Sequence, residues 1–218
     1  MNFRKNLFYK FLENTLQPYV LSLIKEVNGT ENIPKTGPFV VVANHESYID
    51  PLLVKGYLSR DYRINVYYLT KIEAFDNPFK KYFFDSVGSI PVDRGAKDED
   101  VLKGAVDVLK QNGIIGIFPE GTRSRDGKLH KGKTGAVRLA LAAKCKILPI
   151  GINNTYELWP PNQKLPKRRK EVVVNIGKPI SLDKYYDTPV TKELLRGLTD
   201  MVMAEIGKLC GQEYKVED

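Results

Sequence analysis

His45 and Asp50 are the pair of residues in this chain best spaced to move a proton. The imidazole follows an apolar run, in Val40-Val41-Val42-Ala43-Asn44-His45-Glu46-Ser47-Tyr48-Ile49-Asp50-Pro51, so it sits where a buried strand leaves its sheet. Open α/β sheets place their ligands at that carboxyl end. A carboxylate at Asp50 that accepts from one ring nitrogen fixes the tautomer, and the other nitrogen then takes a proton from a hydroxyl. Read singly, Asp50 before Pro51 is a helix N-cap with proline at the first helical position. The spacing alone leaves both readings open. His130, the other histidine, stands among Lys128, Lys131 and Lys133 and reads as an exposed loop residue.

A second group of reactive residue types follows another apolar run, in Ile117-Phe118-Pro119-Glu120-Gly121-Thr122-Arg123-Ser124-Arg125-Asp126-Gly127. A turn crowded with glycines, hydroxyls and two arginines suits capture of a phosphate by backbone N–H groups and guanidinium forks. It suits a solvated surface turn as well. A third piece, Gly88-Ser89-Ile90-Pro91-Val92-Asp93-Arg94-Gly95, brings Arg94 to a further strand end, as an anion ligand or a surface charge. Gly127 to Thr134 fits the P-loop string G-x4-G-K-T, but a P-loop runs directly from its strand into the first glycine. Here Pro119 to Asp126 intervene, and no later apolar strand ends in an aspartate for Mg²⁺. No G-x-S-x-G elbow occurs, and neither Cys145 nor Cys210 has a histidine near it in sequence. A hydrolase in which His45 activates water stays open.

The elements that must position these residues follow from periodicity. After Gly29 and the Pro34–Pro38 punctuation, β-rich runs (39–43, 64–70, 89–92, 114–118, 147–152, 172–177) alternate with helical patterns (51–58, 74–85, 97–111, 134–144, 192–209). That alternation predicts one α/β domain, with a mixed and mostly parallel sheet flanked by helices. Apolar residues from Phe3 to Val27 at helical spacing predict an N-terminal amphipathic helix, kinked or split at Pro18. Residues 1–28 then form a helical appendage and 29–218 the catalytic domain. The helix either lies in a membrane interface or docks on its own core. The stretch 156–170 reads as a proline-rich loop ending in the basic cluster Lys164, Lys167, Arg168, Arg169 and Lys170.

Composition sets the outer limits. The chain has 218 residues, 42% hydrophobic and 28% charged, which fits a globular domain with a real core and excludes a disordered or fibrous chain. Its formal net charge of +8 predicts an acidic partner: nucleic acid, an anionic membrane surface or a phosphorylated substrate. Two unpaired cysteines give neither a disulfide framework nor a metal knuckle, so a reducing, intracellular setting is expected. Every apolar run falls far short of the roughly 18–20 residues that cross a bilayer. Charges at Arg4, Lys5, Lys10 and Glu13 interrupt any secretory signal. No nucleic-acid-binding module accompanies the basic residues, so nucleic acid is the least expected partner.

Taken in order, Asn44-His45-x4-Asp50, Ile90-Pro91-Val92-Asp93-Arg94, Phe118-Pro119-Glu120-Gly121-Thr122-Arg123-Ser124 and Leu148-Pro149-Ile150 resemble the four blocks of the glycerolipid acyltransferase family, the lysophosphatidic acid acyltransferases. The similarity covers about residues 30 to 180, and Phe118–Ser124 is its most specific part. Lys133 and Gly135 fall where this family carries a lysine and a glycine after its third block. The resemblance implies transfer of a fatty acyl group from a thioester, on coenzyme A or acyl carrier protein, to the free hydroxyl of 1-acyl-sn-glycerol 3-phosphate, with another lysophospholipid or glycerol 3-phosphate as the alternative acceptor and a noncatalytic basic membrane-binding protein as the alternative of a different class. It implies His45 as general base, Asp50 holding its imidazole and Asn44 positioning the loop. Arg94, Glu120, Gly121, Thr122, Arg123 and Lys133 are implied at the acceptor's phosphate end. No metal or redox cofactor is implied. With lipid substrates and no spanning segment, the enzyme is expected to dock from the cytoplasmic side through residues 3–27, aided by the aromatic stretch 74–84. Deletion of 1–27 is then expected to leave the fold intact.

Overall fold

The computed structural model describes residues 7–93, 98–160, 163, 167 and 169–215. Arg4, Lys5, Arg94, Lys164 and Arg168, all singled out above, lie outside them. Seven strands form one sheet: β1 (Ile24–Asn28), β2 (Phe39–Ala43), β3 (Val66–Lys71), β4 (Ser89–Val92), β5 (Ile114–Ile117), β6 (Lys146–Asn153) and β7 (Val172–Ile176), in the order β1-β7-β6-β2-β5-β3-β4. Every neighbouring pair is parallel except β6 with β7. The expected mixed, mostly parallel α/β sheet is what forms. Its helices are α1 (Leu7–Asn14), α2 (Leu16–Ser22), α3 (Asp50–Tyr62), α4 (Pro78–Ser86), α5 (Asp98–Lys110), α6 (Gly135–Ala142), the short α7 (Thr155–Leu158) and α8 (Lys192–Cys210).

The continuous apolar run of β2 has a direct cause. Phe39, Val41 and Ala43 enter one core with Val20, Leu53 and Ile150, whereas Val40 and Val42 enter another with Ala105, Leu139 and Ile206. Side chains alternate across a strand, so a strand covered on both faces must be apolar at every position. With β5 on one side and β6 on the other, β2 is the centre of the sheet. Helix ends are set locally: Asn77 Oδ1 accepts from Lys80 N–H at 2.9 Å to start α4, and Thr191 Oγ1 accepts from Leu194 N–H at 3.1 Å to start α8.

The N-terminal segment departs from expectation. Its helical pattern breaks at Thr15 rather than Pro18, because Pro18 falls in the first turn of α2, where a missing N–H costs no intrahelical bond. The pattern then stops at Ser22. Ile24–Asn28 is an edge strand paired parallel with β7, Ile24 opposite Val172 and Val27 opposite Val174. Leu23, Ile24 and Val27 fit a helical stripe on paper, and pairing with a distant segment overrides it. Val20, Leu21 and Leu23 are buried. Removing residues 1–27 would therefore strip most of an edge strand and the buried side chains of Tyr9, Val20, Leu21 and Leu23, so the deletion does not isolate the helices from the fold.

Candidate active site

Because β2 and β5 are neighbours, the loops that leave their carboxyl ends meet. Ser124 N–H donates to the His45 carbonyl at 2.7 Å, joining the Asn44–Asp50 loop to the Phe118–Ser124 loop. Asn44, fully buried, continues the ladder beyond β2: its Nδ2 donates to Ile152 O and its Oδ1 accepts from Ile152 N–H, both at 2.8 Å. The loop is thereby held to β6 as firmly as the strand before it.

His45 Nδ1 lies 2.9 Å from Asp50 Oδ2. The same oxygen accepts the backbone N–H groups of Glu46 and Ser47, each at 2.7 Å. Asp50 is completely buried and opens α3, but the helix is capped at Ile49, without a side-chain bond. The N-cap reading of Asp50 is corrected: its carboxylate turns back onto its own loop. A carboxylate offers only lone pairs, so Nδ1 is the protonated nitrogen and Nε2 carries the free pair. The imidazole also stacks on Phe118, with centroids 4.2 Å apart, and Phe118 stacks on Tyr68 at 5.6 Å. Tyr68 reaches that place across Gly116, where a Cβ would sit 2.4 Å from its ring. A glycine in the middle of β5 is thus what lets the ring stack form.

Two further carboxyls close the site from below. Glu120 is buried, accepts from His45 N–H at 3.4 Å through Oε1, and has no hydrogen-bond partner at Oε2. Burial pushes its pKa up to about 8, helped by the charges of Glu46, Asp50 and Asp126. Glu46, equally buried, accepts from Asn44 Nδ2 at 3.1 Å and Gln212 Nε2 at 3.3 Å, and burial raises it to about 7. Each acid binds its proton more tightly folded than unfolded, so their contribution to stability is fully present below the ordinary value of 4.5 and lost as pH rises through 7 to 8. Glu46→Gln and Glu120→Gln are expected to raise Tm at pH 8.5 by roughly 2–4 °C per kcal/mol relieved, with little change at pH 4.5. Thermal scans at the two pH values check this; equal shifts at both would contradict it.

The residues expected at an anion site are partly assembled. Gly121 takes φ +74°, and the Lys133 side chain crosses it, its Nζ 3.0 Å from where a Cβ would lie. Lys133 N–H also donates to Pro119 O at 2.7 Å, drawing that lysine to the turn. Thr122 is exposed. Arg123 lies flat on Tyr48, its Cζ 3.4 Å from the ring centroid. Arg94 is outside the described residues, although β4, which precedes it, ends on the same side of the sheet. His130 is exposed, as its basic surroundings predict, and its Nε2 lies 2.8 Å from Asp126 Oδ1.

Some contributors escape a motif reading. Tyr48 and Glu46 lie inside the first block, yet only the fold shows what they touch. Gln212, just past α8, bridges Glu46, the Gly127 carbonyl (3.2 Å) and Leu129 N–H (2.7 Å). Nothing in its sequence neighbourhood signals this. Trp159 packs against Tyr48 at 5.4 Å and is tied to Ser47 Oγ by its carbonyl at 2.9 Å.

Known proteins are similar in both sequence and fold. A 1-acyl-sn-glycerol-3-phosphate acyltransferase of Bacillus subtilis is 32% identical over 204 residues, covering 92% of this chain and 96% of that one. The Saccharomyces cerevisiae protein of the same name is 33% identical over 169 residues, covering 75% of this chain and 54% of its own. The crystal structure of the 1-acyl-sn-glycerophosphate acyltransferase PlsC from Thermotoga maritima superposes with a TM-score of 0.70 at 25% identity, covering 99% of this chain and 86% of that one. The sequence pattern of the Acyltransferase family matches residues 25–153, from β1 through the last block on β6. With His45, Asp50, Glu120 and Arg123 gathered within that span, the chain belongs to the acyltransferase family.

Proposed function

We propose that this enzyme acylates 1-acyl-sn-glycerol 3-phosphate to phosphatidic acid, taking the acyl group from a thioester of coenzyme A or acyl carrier protein. The observation that carries the mechanism is the His45 Nδ1–Asp50 Oδ2 contact of 2.9 Å, which leaves Nε2 as a base at the mouth of the β2–α3 loop. His45 takes the proton of the acceptor hydroxyl as its oxygen attacks the thioester carbonyl. The tetrahedral intermediate collapses by breaking the C–S bond, and the thiolate leaves with the proton from the imidazolium. Asp50 stabilises the imidazolium in between. Arg123 and Lys133 supply positive charge for the acceptor's phosphate. The protonated form of Glu120, favoured by burial, leaves this pocket less negative than three ionised carboxylates would.

Access to lipid substrates is proposed to come from the membrane surface. Among the described residues no helix is long and apolar enough to cross a membrane. Leu7 and Phe11 on α1 are 82% and 60% exposed, and Phe79 on α4 is 73% exposed. Lys10, Lys80 and Lys81 stand beside them. A small, mainly apolar cleft of about 50 Å³ lies between α1, α2, α3 and α4, lined by Tyr9, Leu16, Val20, Leu52 and Phe83, with Lys55 at its edge. Exposed aromatics with flanking lysines suit the headgroup boundary of an anionic bilayer. The double variant Phe11→Asp/Phe79→Asp is expected to keep its Tm, because both side chains are exposed, and to lose at least half of its co-sedimentation with phosphatidylglycerol vesicles. Undiminished sedimentation would refute surface docking by these residues.

The function itself is tested with purified enzyme, radiolabelled acyl-thioester and lysophosphatidic acid, following phosphatidic acid by thin-layer chromatography. Esterified product is expected. Thioester loss without it would assign hydrolysis instead.

A further inference from the structure

Tyr48 stands three residues beyond His45, on the short loop that also carries Asp50, and nearly half of this aromatic side chain is exposed. It has a specific neighbour: the Arg123 guanidinium lies face-on over its ring at 3.4 Å. Trp159 meets the Tyr48 ring at 5.4 Å with a tilt of 48°, and Trp159 is fixed by the Ser47 Oγ bond to its carbonyl. The stack uses the face of the guanidinium and leaves its edge, with the N–H donors, for an in-plane acceptor. At that edge Nη1 is buried and has no hydrogen-bond partner. A buried, unpartnered donor of a permanent cation is costly unless an acceptor arrives with the substrate. The backbone on both sides is already locked, by the Ser124 N–H bond to the His45 carbonyl.

We propose that Tyr48 is a positioning residue for the acceptor phosphate: it holds the Arg123 guanidinium plane at a fixed place relative to His45, so that a substrate phosphate bound at Nη1 delivers its hydroxyl to the base. The inference rests on lysophosphatidic acid being the acceptor. A glycerol phosphate is short, and its hydroxyl and phosphate must be met together. Both the base and the stacking platform sit on one loop, within Asn44–Asp50, and that loop is tied to β6 through Asn44. Arginine on an aromatic face loses less freedom on binding an anion than one swinging in solvent.

The test compares steady-state kinetics of the full-length enzyme and its variants with lysophosphatidic acid in mixed micelles. Tyr48→Leu is expected to raise the acceptor KM roughly 3- to 30-fold, the worth of a partly desolvated cation–π contact, with kcat changed less than about twofold. Tyr48→Phe, which keeps the ring, is expected to restore the wild-type KM. Tyr48→Met, which fills similar space without an aromatic face, should raise KM in the same way and serves if Tyr48→Leu folds poorly. An unchanged KM in Tyr48→Leu, a fall in kcat alone, or failure of Tyr48→Phe to restore KM would overturn the positioning role while leaving the reaction intact. A wild-type enzyme that does not acylate lysophosphatidic acid would instead overturn the reaction assignment, and this inference with it.

Discussion

His45→Ala is expected to lower kcat by roughly 10²–10⁴-fold, the range for loss of a positioned general base. Without the imidazole the acceptor hydroxyl must attack while still carrying its proton, or lose it to water, a far weaker base. The fold should survive the change. The His45 side chain is 17% exposed, its ring stacks on Phe118 and bonds Asp50, and with the ring gone Asp50 Oδ2 keeps the Glu46 and Ser47 N–H groups while Asn44 still ties the loop to β6. Single-turnover assays on wild type and His45→Ala, with matched thermal transitions, separate chemistry from stability. A variant that retained more than about a tenth of wild-type kcat would mean that His45 is not the base.

Asp50 gives the second large effect, and its two substitutions should part company. Asp50→Ala removes the acceptor for His45 Nδ1 and for the N–H groups of Glu46 and Ser47. Each buried donor left unpaired costs about 1–3 kcal/mol. This variant is expected to be unstable and inactive. In Asp50→Asn the amide oxygen should take the place of Oδ2, because two backbone N–H groups demand an acceptor there. Its NH₂ then replaces Oδ1, which has no hydrogen-bond partner to lose. The His45 tautomer is preserved, and what disappears is the negative charge beside a forming imidazolium. A charge contact at such distance is worth about 4 kcal/mol at an effective dielectric near 20. The expected kcat loss is therefore roughly 10²- to 10³-fold, at a Tm well above that of Asp50→Ala. Equal Tm and equal activity for the two variants would show that the Asp50 hydrogen bonds do not organise the loop.

How much of this was legible beforehand depends on the range of the interactions. The central strands were readable because a strand with two covered faces must be apolar throughout, and 39–43 is recovered to the residue. The His45–Asp50 pair was readable because five residues of loop suffice to bring them together. β1 was not, since Ile24–Asn28 becomes a strand only by pairing with residues near 174, and its local spacing fits a helix as well. Asp50 looked like a cap because nothing in the sequence shows a carboxylate turning back. The stack from Gly116 through Tyr68 and Phe118 to His45 crosses three strands, and Gln212 arrives from the far end of the chain. Such contacts are properties of the topology, and no window of sequence contains them.

The pairing of β1 with β7 also bears on how the protein is made. β1 is an edge strand whose one partner in the sheet is β7, so it waits unpaired on the ribosome until Val172–Ile176 has emerged. Contacts of such long sequence separation form late and slow folding, because a long loop must close before they reward the chain. The helices α1 and α2 lie directly ahead of β1 in chain order, and α1 carries the exposed Leu7 and Phe11. Newly made chains therefore present these exposed apolar side chains well before the strand behind them can be seated. A nascent chain in that condition exposes apolar side chains and an unpaired strand together, the combination that invites aggregation and calls for a chaperone until the sheet is complete.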